Sequence, residues 1–216
     1  MPATVRLEIP SQGFEPAREA LRALDCGVEH EIEICCAKAL PYLLNGYRLR
    51  GHVKVLGSVG DFCFVCFGES EGIIEGNAGH YLAHSIHSGA LFVHGDAGSG
   101  LASLGQGGLV SVYGNAGPRV ALGMQGADVV IRGNAGPLCG LGMQSGSIVI
   151  GGNAGEELGR GMRGGIIYVR GEVQSISPDI EEVRMREPDK LKIGLLMLKA
   201  GIKATGKEFK VFRPAH

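Results

Sequence analysis

The chain has 216 residues, with 21 Lys plus Arg against 22 Asp plus Glu, and 37 glycines but no tryptophan. That length suffices for one sizeable core with small flanking elements, so a separate second domain is not required. Balanced charge without a dense basic run argues against nucleic acid as a partner, and no segment approaches the ~20 apolar residues of a membrane span.

Residues 1–50 form a cap segment of mixed character. The start, Met1 to Glu8, lacks the apolar run of an export signal, so a cytoplasmic location and reduced thiols are expected for Cys26, Cys35, Cys36, Cys63, Cys66 and Cys139. Glu15 to Leu24 combines an early proline with good helix formers and a following Gly27, which predicts a short helix. Glu31 to Ile34 then alternates as a strand does.

From residue 51 to about 175 one phrase recurs every nineteen residues, opening at Gly76, Gly95, Gly114, Gly133 and Gly152 and closing at Gly79, Gly98, Gly117, Gly136 and Gly155. The register extends back to Gly57 and forward to Gly171. Units that cannot bury their own apolar face must stack on their neighbours, so the spacing predicts an all-β solenoid of about six to seven coils, a rod roughly 30 Å long. Two residues before each glycine stand Val55, Ile74, Val93, Val112, Ile131, Ile150 and Val169, a β-branched column suited to an inward strand. Six residues after it come Leu82, Leu101, Val120, Cys139 and Leu158, read as a second inward strand. Glycines around Met124, Met143 and Met162 suit corners of positive φ, with methionine filling the core. The Asn or Asp of the phrase suits a turn, through left-handed backbone and a local side-chain bond, and can also stack between coils. Calcium is disfavoured because Asp96 is the single acid among those five positions.

Residues 176–216 break the pattern. Pro188 to Ala200 reads as an amphipathic helix capped near Asp189 and stopped at Gly201, and Lys207 to Pro214 as a final strand or extended docking arm. Both flanks are expected to cover the ends of the stack.

Two groups invite a chemical reading. Cys63 and Cys66 have the spacing of a metal or redox pair. Their flanks suit a strand, however, which would point them to opposite faces, and packing is favoured. His80, His84 and His87 would share one face of a helix and hold a metal. The register assigns them to coil, and His87 aligns with Gln106, Gln125, Gln144 and Arg163 in a solvent-facing column. Cys139 falls in an inward column and reads as a small hydrophobe.

The spacing of Gly133, Gly136, Gly140, Met143 and Gly146, repeated by Gly152, Gly155, Gly159, Met162 and Gly165, resembles the repeat of the glutamate synthase C-terminal (GXGXG) domain family. That resemblance implies a right-handed β-helix. Val169 to Val173, Asp179 to Glu182, the helix around Leu191 to Ala200 and Phe209 to Arg213 resemble the ending of stand-alone glutamate synthase-like subunits; the β-helix subunit of formylmethanofuran dehydrogenase is the related alternative. Two units depart from the family pattern at the corner methionine: Gly95 to Gly108 lacks it, and Gly76 to Gly89 has Ile86 there.

The family's β-helix carries no catalytic residues, so the resemblance transfers no catalytic, cofactor or metal position to this chain. It implies a structural subunit of a glutamate synthase-like complex, with FMN and an iron–sulfur cluster on partner chains. Those partners are a glutaminase-like amidotransferase and an FMN-dependent synthase-like subunit. Phe209, Phe212 and Arg213 are the candidate partner contacts. Self-association through exposed rung residues such as Tyr113 and Arg132 is a further reading, and an independent metal- or thiol-dependent enzyme is the alternative of another class.

Overall fold

Valine and isoleucine two residues before each repeat glycine stack directly on one another. Val55 pairs with Ile74, Ile74 with Val93, and so on to Ile150 with Val169, every one fully buried. Each such side chain contributes about 1.5–3 kcal/mol by leaving water, so this single column is a large part of the stability. The structure, a computed structural model, describes residues 4–9, 19, 21–22, 28–36, 38–47, 49–202 and 209–215. It is a parallel β-solenoid of about seven turns.

The first side of the solenoid is a continuous sheet. Strands β1 (Thr4–Ile9), β2 (Glu29–Cys36), β3 (Arg50–Leu56), β4 (Ser70–Ile74), β5 (Ala90–Val93), β6 (Leu109–Val112), β7 (Gln125–Ile131), β8 (Ser145–Ile150) and β9 (Ile166–Val169) lie in chain order, each parallel to the next. The N-terminal segment thus prolongs the stack by two strands, and β2 includes the strand expected at Glu31 to Ile34. Of the helix expected over Glu15 to Leu24, only Glu19, Leu21 and Arg22 are described, all helical, with Leu21 buried; Cys26 lies outside the described residues.

The second side is narrower. Val59, Ala78, Ala97, Ala116, Ala135, Ala154 and Val173 make one parallel bridge per coil. The alanine of the repeated phrase is its inward rung.

The third side corrects the second strand expected from Leu82 and its counterparts. Those side chains are indeed buried, but the backbone there is a turn run in which every other residue is left-handed. In one coil these are Tyr81, Ala83 and Ser85, each with φ 56°. Their amides bond alternately to the coil above and the coil below: Tyr81 N to Ser99 O at 2.8 Å, Ala83 N to Cys63 O at 3.0 Å, Ser85 N to Ser103 O at 2.8 Å. Left-handed backbone costs a non-glycine residue about 1–2 kcal/mol, and inter-coil bonding of amides that would otherwise lack partners offsets it.

The repeat asparagines form a ladder rather than local turns. Asp96 N donates to Asn77 Oδ1 (2.9 Å), Asn115 N to Asp96 Oδ1 (2.7 Å), Asn134 N to Asn115 Oδ1 (2.9 Å) and Asn153 N to Asn134 Oδ1 (2.8 Å). None of these residues has positive φ. The ladder also explains the first glycine of the phrase: a Cβ on Gly95 would strike Asn77 Oδ1, and one on Gly152 would strike Asn134 Oδ1. Close approach, not backbone freedom, demands glycine there.

After β9 the chain turns back. Helix α1 (Glu187–Lys199) lies along the outer face of the sheet, while β11 (Lys210–Pro214) inserts antiparallel between β9 and β10 (Ile180–Val183). The tail therefore does two jobs. Strand β11 covers the last parallel edge, as expected of a cap, but α1 covers a side of the rod. A second core of Val130, Val149, Tyr168, Ile193, Leu196, Met197 and Val211 joins helix to sheet, separate from the core inside the coils.

Candidate interaction surfaces

The cysteine pair sits on the left-handed side, not on a strand. Residues 61–66 are a turn in which Cys66 has φ 56°. Cys63 is buried, its Sγ accepting from Leu43 N and donating to Leu40 O, both at 3.3 Å, whereas Cys66 is exposed. The opposed orientation follows from this turn. Cys139 is buried in the core, and burial pushes its thiol up to about 12, which keeps it protonated and unreactive at neutral pH.

The histidines of the coil between Gly76 and Gly95 are dispersed among separate roles. His80 belongs to an inter-coil ladder of its own: its backbone N donates to Asp61 Oδ1 (2.7 Å) and its Nδ1 accepts from Ser99 N (2.9 Å). His84 stands edge-on to Tyr81 with its Nδ1 buried and without a hydrogen-bond partner. His87 is exposed, as are Gln106, Gln125, Gln144 and Arg163 in its column. His94 Nδ1 lies 2.6 Å from Glu75, whose other oxygen takes Lys54 Nζ at 2.7 Å. Among the described residues, no group of three or more His, Cys, Asp and Glu is arranged to hold a metal ion.

The tail residues singled out from sequence are packed inside this chain. Phe209 and Phe212 are buried, Phe212 in the main core and Phe209 beneath the helix. Arg213 donates to Asp189 Oδ1 at 2.6 Å, the same oxygen that accepts from Tyr168 Oη at 3.1 Å, while Asp189 Oδ2 accepts from Arg186 N at 2.8 Å. One buried carboxylate thus ties together helix start, last strand and sheet. Desolvation, then the adjacent carboxylate, pushes the Tyr168 phenol well above its ordinary value, so it remains a hydrogen-bond donor. Tyr113 is likewise engaged, its hydroxyl donating to Ala200 O at 2.9 Å where the helix ends; Arg132 is exposed.

Two surfaces have no counterpart among the sequence expectations. Tyr42, Phe62 and Tyr81 form an aromatic ladder at successive coils, with ring centroids 5.8 and 4.9 Å apart and nearly parallel planes. Their spacing of twenty and nineteen residues is the signal that would have found them. The other is a stripe of exposed leucines on α1: Leu191, Leu195 and Leu198.

These features define a β-solenoid whose polar repeat residues serve inter-coil bonding and whose individuality lies in its outer faces. The model of the GXGXG motif family matches residues 47–193, well over half of the chain, and the chain belongs to that family. The glutamate synthase-like relation suggested by the glycine and methionine spacing thus holds at the level of the family. A search of curated proteins returned no match. Among the described residues no helix is long and apolar enough to cross a membrane.

Proposed function

We propose that this chain is a non-catalytic structural subunit of a glutamate synthase-like complex. It positions a glutaminase-like amidotransferase and an FMN-dependent synthase-like partner for ammonia transfer, and the FMN and iron–sulfur cluster reside on those partners. One observation carries this reading: from Gly57 to Gly171, inside the family-matching region, the repeat runs unbroken, and the candidate chemical residues Cys63, Cys139 and His80 are engaged in core packing or inter-coil bonds. A stack held by neighbour-to-neighbour bonds is a rigid spacer with long faces, which suits holding other chains apart at a fixed distance.

The test is purification of the tagged chain from its native cell, with co-purifying chains identified by mass spectrometry. A glutaminase-like and a flavin-containing chain are expected in stoichiometric yield. A lone monomer sinks the proposal. Co-purification of a molybdenum or tungsten enzyme supports the formylmethanofuran dehydrogenase alternative instead. Stoichiometric metal in the isolated chain, lost in a His84→Ala/His87→Ala variant, would establish an independent metalloprotein.

A further inference from the structure

Helix α1 has two apolar faces. One buries Ile193, Leu196 and Met197 against the sheet. The other carries Leu191, Leu195 and Leu198, which are 66%, 49% and 75% exposed. At 100° per residue these three fall within about 60° of one another, directly opposite the buried face. A scattered surface leucine calls for no explanation, but three aligned on one otherwise well-packed helix mark a contact surface. Gly194 lies on the same outer side, and nothing stands within 4 Å of where its Cβ would be. The stripe therefore has a gap beside its central leucine.

We infer that this stripe docks the same helix of a second copy, antiparallel, across a two-fold axis near Gly194 and Leu195. A two-fold contact requires a self-complementary surface, in which residue i meets j and j meets i. Centred there, Leu191 of each copy meets Leu198 of the other, and the two Leu195 side chains meet beside the axis. The ends are complementary in the same arrangement. Glu187 lies in the first turn and Lys199 in the last, so each acidic end lies beside a basic end and the helix dipoles oppose. A parallel pairing would set like charges together. The flanking Lys190 and Lys192 are neutralised by Glu187 (2.8 Å) and Asp128 (3.3 Å), so neither opposes the approach. A helix of this length spans only about 20 Å, giving an interface below the ~800 Å² per partner of stable complexes. The dimer is accordingly weak and concentration-dependent. It does not depend on the scaffold reading.

Sedimentation velocity on the purified full chain, over a concentration series reaching about 1 mM, tests this. A monomer–dimer equilibrium is expected, weakened about 30-fold or more by Leu195→Glu, with Leu198→Lys as an independent second variant. Both sites face solvent, so melting of the dilute variants should match the parent, which separates lost docking from lost folding. Glu187→Lys, which also strips Lys190 of its partner, should weaken the dimer roughly two- to fivefold, and adding Lys199→Glu should restore it. Monomer throughout the series overturns the inference, as does a dimer indifferent to both leucine variants, or a charge swap that fails to rescue. A native complex in which another chain covers Leu191 and Leu198 overturns it as well.

Discussion

The outer face of the sheet differs between its early and late strands although the inner face does not. In the column three residues before each repeat glycine stand Lys54, Ile73 and Phe92, then Ser111, Val130, Val149 and Tyr168, paired strand to strand throughout. The first three are partly exposed and the last four buried. Around the early members, ion pairs link coil to coil, Arg50 with Glu69 and Lys54 with Glu75, and His52 lies 3.7 Å from Glu71. Over the late members lies α1. The repeat dictates the inside of the coil because every rung must match its neighbours in volume, but it leaves the outside free, and the tail has claimed half of it. Strands buried on both faces lose their alternation, as in Val129 to Ile131, Ile148 to Ile150 and Ile167 to Val169.

The sharpest way to break this difference is to release the tail. Asp189→Ala removes the carboxylate shared by Arg213, Tyr168 and the helix start, leaving a half-buried guanidinium and a buried phenol unpaired. Such a loss costs about 3–5 kcal/mol. Because coils are stabilised chiefly by their neighbours, the damage should be local. Hydrogen exchange is expected to show α1, β10 and β11 deprotected while β4 and β5 keep their protection. Uniform loss along the rod would contradict the division into two regions.

Matched truncations sharpen the comparison at smaller cost. Val149→Ala, at a fully covered position, should destabilise by about 2 kcal/mol, whereas Ile73→Ala, in the same column but partly exposed, should cost well under 1 kcal/mol. Denaturant titrations of the two variants decide it, and equal costs would mean that α1 contributes little to the late face.

Much of this is legible in the sequence, and what is not has physical causes. The inward column from Val55 to Val169, the register of the phrase and the extent of α1 follow from periodicity and capping, which are local. The left-handed side escapes such reading because Phe62, Tyr81 and Arg119 carry no compositional mark of positive φ; inter-coil bonds impose it. Cys63 and Cys66 look like strand residues for the same reason. Asn and Asp suggest either a local turn bond or a stack between coils, and the choice of the next coil's backbone amide as the donor emerges only once the coils are stacked. The docking of α1 is readable, in the lost alternation of the late strands. Phe209 and Phe212 point to partners only because an exposed arm and a returning strand look alike in sequence.

The asparagine ladder runs through both regions and so provides an internal control. Asn134→Ala leaves Asn153 N without its acceptor and should cost about 0.5–1.5 kcal/mol, with the same change at Asn115 costing nearly as much. Gly152→Ala should cost more, about 1–3 kcal/mol, because its Cβ meets Asn134 Oδ1 and the backbone of Gly133. The double variant Asn134→Ala/Gly152→Ala is expected to be less damaged than the sum of the singles, since one substitution removes an atom the other would strike. Strict additivity, read from melting curves, would show that the glycine is required by the backbone alone.

The smallest effect belongs to the bare early face. Hydrogen bonds from Lys54 and then His94 hold the Glu75 carboxyl below its usual value of 4.5, against the opposing effect of desolvation. A carboxylate whose pKa is depressed on folding adds stability that is fully present above its unfolded pKa and is lost as pH falls through the folded value. The group is about one third exposed, so solvent screening limits the contribution to a few tenths of a kcal/mol. Comparing the parent with Glu75→Gln, the stability difference should be greatest near neutral pH, begin to shrink as pH falls through the usual carboxylate range, and vanish only below the depressed folded value, where both chains carry a neutral group. It should also shrink with salt, as exposed pairs do. Asp189→Asn, by contrast, should keep its cost in high salt, because the carboxylate over the late strands is buried; salt dependence alone therefore tells the early and late halves of one outer face apart.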